Sequence, residues 1–428
     1  MRTRPARLAE VAGFNIDRVA AAAGSDPSVL RLENLDTDLG PPGEAIAATA
    51  EAARTPEANS WLPFTGTSAM KAAITAKVAE RSNLAYDPET EVVVNASDGE
   101  ALLDALLALV DHGDEVVLTD PTYAGLVNRV RLVGAVPRLV PLVAAHGEWR
   151  LDLDALDRAV SRSTRAILLA NPAFPTGIVL SDTEWAEIAR ICIERDVWLI
   201  YWAWMEGIVF DGRPIRHPAT MPGMRERTII VGSASCEQRM IGWRLGWIVA
   251  PEAVMPDLSV VQIYNGLVAG GIAQAAGIAA LTARDDGLTR CVTEWQRRRD
   301  VVGTQLAGLP MIPAAGGWSQ LVDTRALGVE PATLSNALLE HGVAATPMTG
   351  WGGTSPPATC ASCSAASPRD ASNCSVSGSR SPCERSARRP SPADRTRRGR
   401  THRGPASPTC LLGQTSERST YCRMPPLR

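Results

Sequence analysis

Short, continuously apolar runs rich in β-branched residues alternate with amphipathic stretches along most of this chain, and that alternation narrows the folds open to it. The runs are Glu91–Asn95, Glu115–Leu118, Arg138–Pro141, Ala166–Ala170, Val197–Tyr201, Thr228–Val231 and Leu245–Ala250. Between them lie helical patterns at Ser68–Arg81, Glu100–Val110, Tyr123–Val133, Leu153–Ala159 and Asp182–Arg195. A strand apolar on both sides must be covered on both faces, which a largely parallel sheet flanked by helices provides. The expected class is therefore α/β. Ligands of such sheets bind beyond the carboxyl ends of the strands, so the loops after Val94, Leu118, Ala170 and Tyr201 are the places to look.

A long helical stretch from about Gly266 to Leu306 leads to a second unit. It has strands at Gly316–Val322 and Val343–Ala345, with a helix at Pro331–His341 between them. The expected organisation is an N-terminal arm (1–40), a large sheet domain (41–265), a smaller C-terminal α/β domain (266–353) and a disordered tail (354–428). The net charge of −3 hides unlike parts: residues 354–428 carry 13 Arg against 4 acidic residues, while residues 1–353 carry 30 basic against 42 acidic. An acidic body offers no basic face to nucleic acid. No apolar run is long enough for a membrane span, and the N-terminus lacks a signal peptide's apolar block, so a cytoplasmic location is expected.

From Thr354 the hydrophobic periodicity stops and Ser, Pro, Arg and Cys take over, a composition that cannot bury a core. Six of the nine cysteines fall here, including Cys360 and Cys363 at C-x-x-C spacing, but without nearby histidines no metal site is expected. Read as a GC-rich gene shifted by one base, the codons of Ala358–Ser364 yield His/Asp, Leu/Val, Arg where Cys360 is encoded TGC, Leu/Val, Leu/Val and Leu/Phe, a segment like His-Val-Arg-Leu-Val-Phe. A translation frameshift is therefore the sharper reading of this tail.

Three motifs carry chemistry. The first is Gly232-Ser233-Ala234-Ser235-Cys236-Glu237-Gln238-Arg239-Met240-Ile241-Gly242-Trp243-Arg244-Leu245-Gly246, the second Asn171-Pro172-Ala173-Phe174-Pro175-Thr176-Gly177, the third Asp120-Pro121-Thr122-Tyr123. In their order along the chain, Asp120 to Gly246, they resemble class I/II aminotransferases of the fold type I pyridoxal-phosphate (PLP) group, over roughly residues 30–353. The resemblance implies a large domain with a mostly parallel seven-stranded-type sheet, a smaller C-terminal domain and a homodimer with Trp61 and Tyr264 reaching the partner. It also implies PLP-dependent exchange of an amino group between an amino acid and a 2-oxo acid.

By the same resemblance Asn171 would bond the coenzyme's ring hydroxyl and Tyr123 would stack on its pyridine. Arg244, Ser233, Ser235 and the loop Ser97-Asp98-Gly99 would hold its phosphate, and Gly40 and Trp61 would line the substrate side. The blander readings are an Asn capping a turn, a core tyrosine and a surface ion pair for Arg244.

The departures touch the chemistry itself. Cys236 stands at the Schiff-base lysine, and a thiol forms no imine. The chain has only two lysines, Lys71 and Lys77. Trp202 stands at the aspartate that keeps the pyridine nitrogen protonated, and an indole N–H donates but does not accept. Met205 replaces the tyrosine three residues on, and Asp98 brings a negative charge toward a phosphate seat. Cys236 reads either as a small residue filling the lysine's space or as a thiolate activated by Arg239 and Arg244. His112, His146, His217 and His341 read as surface or loop residues. A family enzyme with impaired chemistry, and a pseudoenzyme binding pyridoxamine phosphate (PMP) or another anion non-covalently, both stay open.

Overall fold

A computed structural model describes residues 15–353 and the backbone of 358–362, with three isolated positions nearer the N-terminus. Helix α1 (Asn15–Ala23) and the short strand β1 (Leu30–Arg31) precede α2 (Gly43–Ala52) and α3 (Ser68–Ser82). Then follow β2 (Val92–Asn95), α4 (Asp98–Leu109), β3 (Glu115–Asp120), α5 (Ala124–Leu132), β4 (Val136–Ala145), β5 (Glu148–Leu151) and α6 (Leu153–Ala159). The large sheet is completed by β6 (Thr164–Ala170), α7 (Asp182–Glu194), β7 (Trp198–Trp202), β8 (Thr228–Ser233) and β9 (Gly246–Val249). Last come α8 (Met255–Asn265), α9 (Gly271–Leu281), α10 (Leu288–Gln305), β10 (Ser319–Asp323), α11 (Pro331–Glu340), β11 (Val343–Ala344), β12 (Thr346–Pro347) and β13 (Ala358–Ser362).

The main sheet has eight strands in the order β2-β9-β8-β7-β6-β3-β4-β5. The pairs β8–β7, β7–β6, β6–β3 and β3–β4 are parallel, and β9 runs antiparallel to both its neighbours. The fold is the expected α/β class, with one strand more than expected. That strand, β5, forms a hairpin with β4 through His146 and Gly147, both at positive φ (53° and 78°). Positive φ at both loop positions gives the twist that two-residue hairpins favour.

Alternation along the strands divides the core in two. On one face Ile200 and Trp202 of β7 join Leu168, Ala170 and Val231, covered by Leu102, Leu106, Leu126 and Val130 of α4 and α5. On the other, Leu199 and Tyr201 join Ile167, Leu169 and Ile230, covered by Ile74, Trp185 and Ile188 of α3 and α7. Local signals fix the helix starts: Ser181 and Glu184 form a reciprocal capping box on α7, and Ser97 Oγ accepts the Glu100 N–H at the start of α4.

Two features bear on the expected organisation. The stretch from Gly266 to Leu306 is broken around Gly270 and by Asp285-Asp286-Gly287, where Gly287 has φ 76°. Helix α9, expected with the smaller domain, packs instead on α2 and α3 beside the main sheet. Regular structure also continues beyond Gly353, because β13 lies antiparallel between β10 and β12. The rest of the expected tail lies outside the described residues. The N-terminal arm is tied to the C-terminal elements, with β1 parallel to β11 and Val19 and Ala23 packed on Ala344. Among the described residues no helix is long and apolar enough to cross a membrane.

Candidate active site

The carboxyl ends of β2, β3, β6, β7 and β8 bring most of the singled-out residues to one end of the sheet. Register does this: Ala170 pairs with Trp202, Trp202 with Val231, and Gly246 with both Ser233 and Asn95. Gly246 is needed for the approach, since a Cβ there would lie 2.3 Å from the Ser97 carbonyl carbon and 2.4 Å from the Asp98 nitrogen. The Ser97-Asp98 turn can therefore rest directly on β9.

Trp202 ends β7 with its side chain 4% exposed. Its Nε1 donates to Asp98 Oδ2 at 3.0 Å, and its ring stacks on Trp204 with centroids 4.1 Å apart and planes at 15°. Tyr123 lies 6.0 Å from Trp202, and Trp351 and Phe174 meet Tyr123 at 5.5 and 5.9 Å. Burying an indole removes some 150–250 Å² from water, worth about 4–6 kcal/mol at ~25 cal/mol per Å². Trp202 is thus a firmly held core residue. Asp98 Oδ1 accepts the Gly99 N–H at 2.9 Å in the first turn of α4. Its negative charge sits where the helix exposes unpaired N–H groups.

Cys236 is 3% exposed in the loop after β8. Burial pushes its thiol well above the ordinary range, and the charges of Asp98 and Glu237 add to this more than Arg244 offsets. Burial therefore works against the activated thiolate considered from sequence, and the second cation of that reading, Arg239, is engaged elsewhere. Arg239 is buried and donates to the carbonyls of Gly40, Glu237 and Asp286. Arg244 is exposed, has φ 53°, and donates through Nη1 to Ile241 O at 2.9 Å in its own turn. The surface ion pair considered for Arg244 does not appear among the described residues.

The remaining expected residues divide. Asn171 is buried and its Oδ1 accepts the Leu180 N–H at 2.8 Å, which is the turn-holding role. Ser233 Oγ accepts the Ser235 N–H at 3.4 Å, while Ser235 Oγ is buried without a hydrogen bond among the described residues. Met205 is 1% exposed and belongs to the core beside Trp202 and Phe174. Gly40 enters only through its carbonyl, as the acceptor from Arg239 Nε at 3.2 Å. Trp61 and Tyr264 stand apart from this cluster as the most exposed large apolar side chains, at 73% and 89%.

His217 lies in a loop, as one of the two readings had it, but it is not at the surface. It is 3% exposed, its Nδ1 accepts the Ala219 N–H at 3.3 Å, and its ring lies edge-on to Tyr201 at 5.3 Å. It borders a polar cluster that sequence reasoning missed: Arg81, Glu206 and Glu237, with Tyr201 Oη donating to Glu206 Oε1 at 2.8 Å. The hollow beside them holds about 40 Å³, room for one or two waters. Larger hollows of about 460 and 500 Å³ lie elsewhere, one lined by Ala52, Leu62 and Ile278, the other by Trp149, Met311 and Leu321. Trp204 and Trp351 were also not foreseen. The Trp-x-Trp at the end of β7 was a usable signal, whereas nothing near Trp351 marked it. The Cys363 half of the C-x-x-C pair lies outside the described residues, as does the side chain of Cys360.

Comparison with known proteins gives the family and the fold. The family model "Aminotransferase class I and II" matches residues 29–364. The chain belongs to the class I and II aminotransferase family. A probable N-succinyldiaminopimelate aminotransferase from Mycobacterium tuberculosis is 35% identical over 297 residues, 68% of this chain and 75% of that protein. An aspartate aminotransferase from Musicola paradisiaca is 30% identical over 345 residues, 79% of this chain and 85% of that one. The solved structure of N-succinyldiaminopimelate aminotransferase from Mycobacterium tuberculosis superposes with a TM-score of 0.80 at 31% identity, covering 84% of this chain and 96% of that one. The architecture is that of fold type I PLP aminotransferases. The family uses pyridoxal phosphate on amino acids and 2-oxo acids.

Proposed function

We propose that this chain is an aminotransferase-family protein in which the family reaction, PLP-dependent amino transfer between an amino acid and a 2-oxo acid, is impaired, and that it acts as a non-catalytic member. The observation that carries the reading is Cys236, a buried thiol at the position that by resemblance holds the imine-forming amine. Neither lysine offers a substitute. Lys71 is 4% exposed and held 2.6 Å from Glu89, and Lys77 is engaged with Glu80 on α3. Loss of that amine also removes the base for the substrate's α-proton, a transfer that contributes typically ~10²–10⁴-fold.

The test is turnover of a panel of amino acids with 2-oxo acids in the presence of added PLP, together with borohydride reduction and peptide mass mapping. The expected result is no turnover and no coenzyme mass on the Cys236 peptide. Production of a 2-oxo acid from any donor above a no-protein control would overturn the reading.

The exposed Trp61 and Tyr264 support a homodimer, and sedimentation of the purified chain checks it. The composition change at Thr354 supports a shifted reading frame, and the nucleotide sequence across codons 354–375 decides it. An alternate frame without the His/Asp-Val-Arg-Leu-like segment removes that part of the proposal.

A further inference from the structure

We infer that this chain fills its own coenzyme seat, the Trp202 indole taking the place of the pyridine ring and the Asp98 carboxylate taking the anion's place at the start of α4. The inference rests on the family reading above for where the seat is. It does not rest on Cys236, since PMP binds without forming an imine to the protein.

Three observations point to it. The group that by resemblance should lie against the ring's aromatic neighbour is a side chain of the protein: Trp202 sits 6.0 Å from Tyr123 and stacks on Trp204 at 4.1 Å. The indole is tied to the phosphate end of the seat by the chain itself, because Trp202 Nε1 donates to Asp98 Oδ2 at 3.0 Å. The N–H end of α4 is already met by an anion, because Asp98 Oδ1 accepts from Gly99 at 2.9 Å. A phosphate brought to this turn faces a fixed negative charge in a poorly hydrated setting, where like charges repel strongly. A pyridine ring brought to Tyr123 meets an indole already packed among Phe174, Trp204, Met205 and Trp351. The cationic group that would have to outweigh this, Arg244, is exposed and turned onto its own loop.

The consequence is a site closed to PLP and PMP for reasons separate from the missing lysine. The experiment is equilibrium dialysis of PMP against the full chain and against Asp98→Ser, Trp202→Asp and the double variant Trp202→Asp/Asp98→Ser. Folding of each is checked by circular dichroism. The full chain should retain no PMP. The double variant should bind at least about tenfold tighter, and Asp98→Ser, which leaves the aromatic packing in place, should show part of that gain.

Saturable PMP binding by the unaltered chain overturns the inference while leaving the proposal of lost imine chemistry standing. A folded double variant that binds no better than its parent also overturns it. If the double variant does not fold, the parent and Asp98→Ser measurements still decide the matter: parent binding, or no gain in Asp98→Ser, counts against it. Turnover by the parent, in contrast, overturns the proposed function and the seat's closure together.

Discussion

Arg81 Nη2 and Glu237 Oε2 lie 2.9 Å apart, and a second buried carboxyl, Glu206, shares the field of that one guanidinium. One cation facing two desolvated acids favours the retention of a proton. Burial pushes Glu206 up from 4.5 to about 7, against the opposing pull of Arg81, the Tyr201 hydroxyl and Lys77. Burial likewise raises Glu237, and it holds His217 down at about 4.

The sign of the pH effect follows. A carboxyl whose pKa rises on folding stabilises fully below its unfolded value, and that contribution is lost as pH rises through the folded value. For Glu206 the window runs from 4.5 to about 7. His217 works in the opposite direction, its contribution being lost as pH falls from 6.5 to about 4. Glu206→Gln removes the first effect and relieves part of the rise in Glu237, and leaves that of His217 in place. Its melting temperature, measured relative to the parent, should therefore rise between about pH 5 and pH 8. Melting curves that stay parallel across that range would show that Glu206 does not titrate there.

Gly246→Ala tests the approach of the Ser97-Asp98 turn to β9. The added methyl would meet backbone atoms at 2.3 and 2.4 Å, which cannot be relieved by rotating a side chain. Overpacking of this kind costs about 1–3 kcal/mol. Urea denaturation should show a lower midpoint with an unchanged slope. An unchanged midpoint would mean that the turn moves freely.

The bond between Trp202 and Asp98 is measurable by a double-mutant cycle with Trp202→Phe and Asp98→Asn. Hydrogen bonds to charged groups contribute about 1.5–3 kcal/mol. The phenylalanine leaves the carboxylate without its indole, whereas the asparagine keeps an acceptor, so the first change should cost more. Additivity within ~0.5 kcal/mol would mean that the carboxylate's charge adds nothing measurable to the bond.

Cys236 should alkylate slowly in the native protein. Burial raises its thiol well above the ordinary range, whereas Cys291 is only half-buried. Mass-mapped labelling at neutral pH should therefore find Cys291 modified before Cys236. Equal rates would restore the reactive-thiol reading.

Much of the large sheet was legible because continuous apolar runs at Glu115–Leu118, Ala166–Ala170 and Val197–Tyr201 report burial on both faces, a local property. The β4–β5 hairpin was missed because the only cues in it were His146-Gly147 and a half-exposed, weakly patterned pair of strands. The packing of α9 was not legible for another reason. Helix α9 is apolar nearly throughout, and the sequence does not say which neighbour covers it. His217 and the Arg81–Glu237 pair were hidden because burial of a polar residue depends on partners far along the chain.

The sequence alone decided that residue 236 is a thiol and residue 202 an indole, and that the chain alternates strand and helix. Those are properties of single residues and short windows. Only the tertiary structure decided where the indole points. Trp202 and Asp98 are separated by 104 positions, and they meet because the registers of β7, β8, β9 and β2 carry both to the same end of the sheet. Such a contact is set by sheet geometry, which no local pattern of residues encodes.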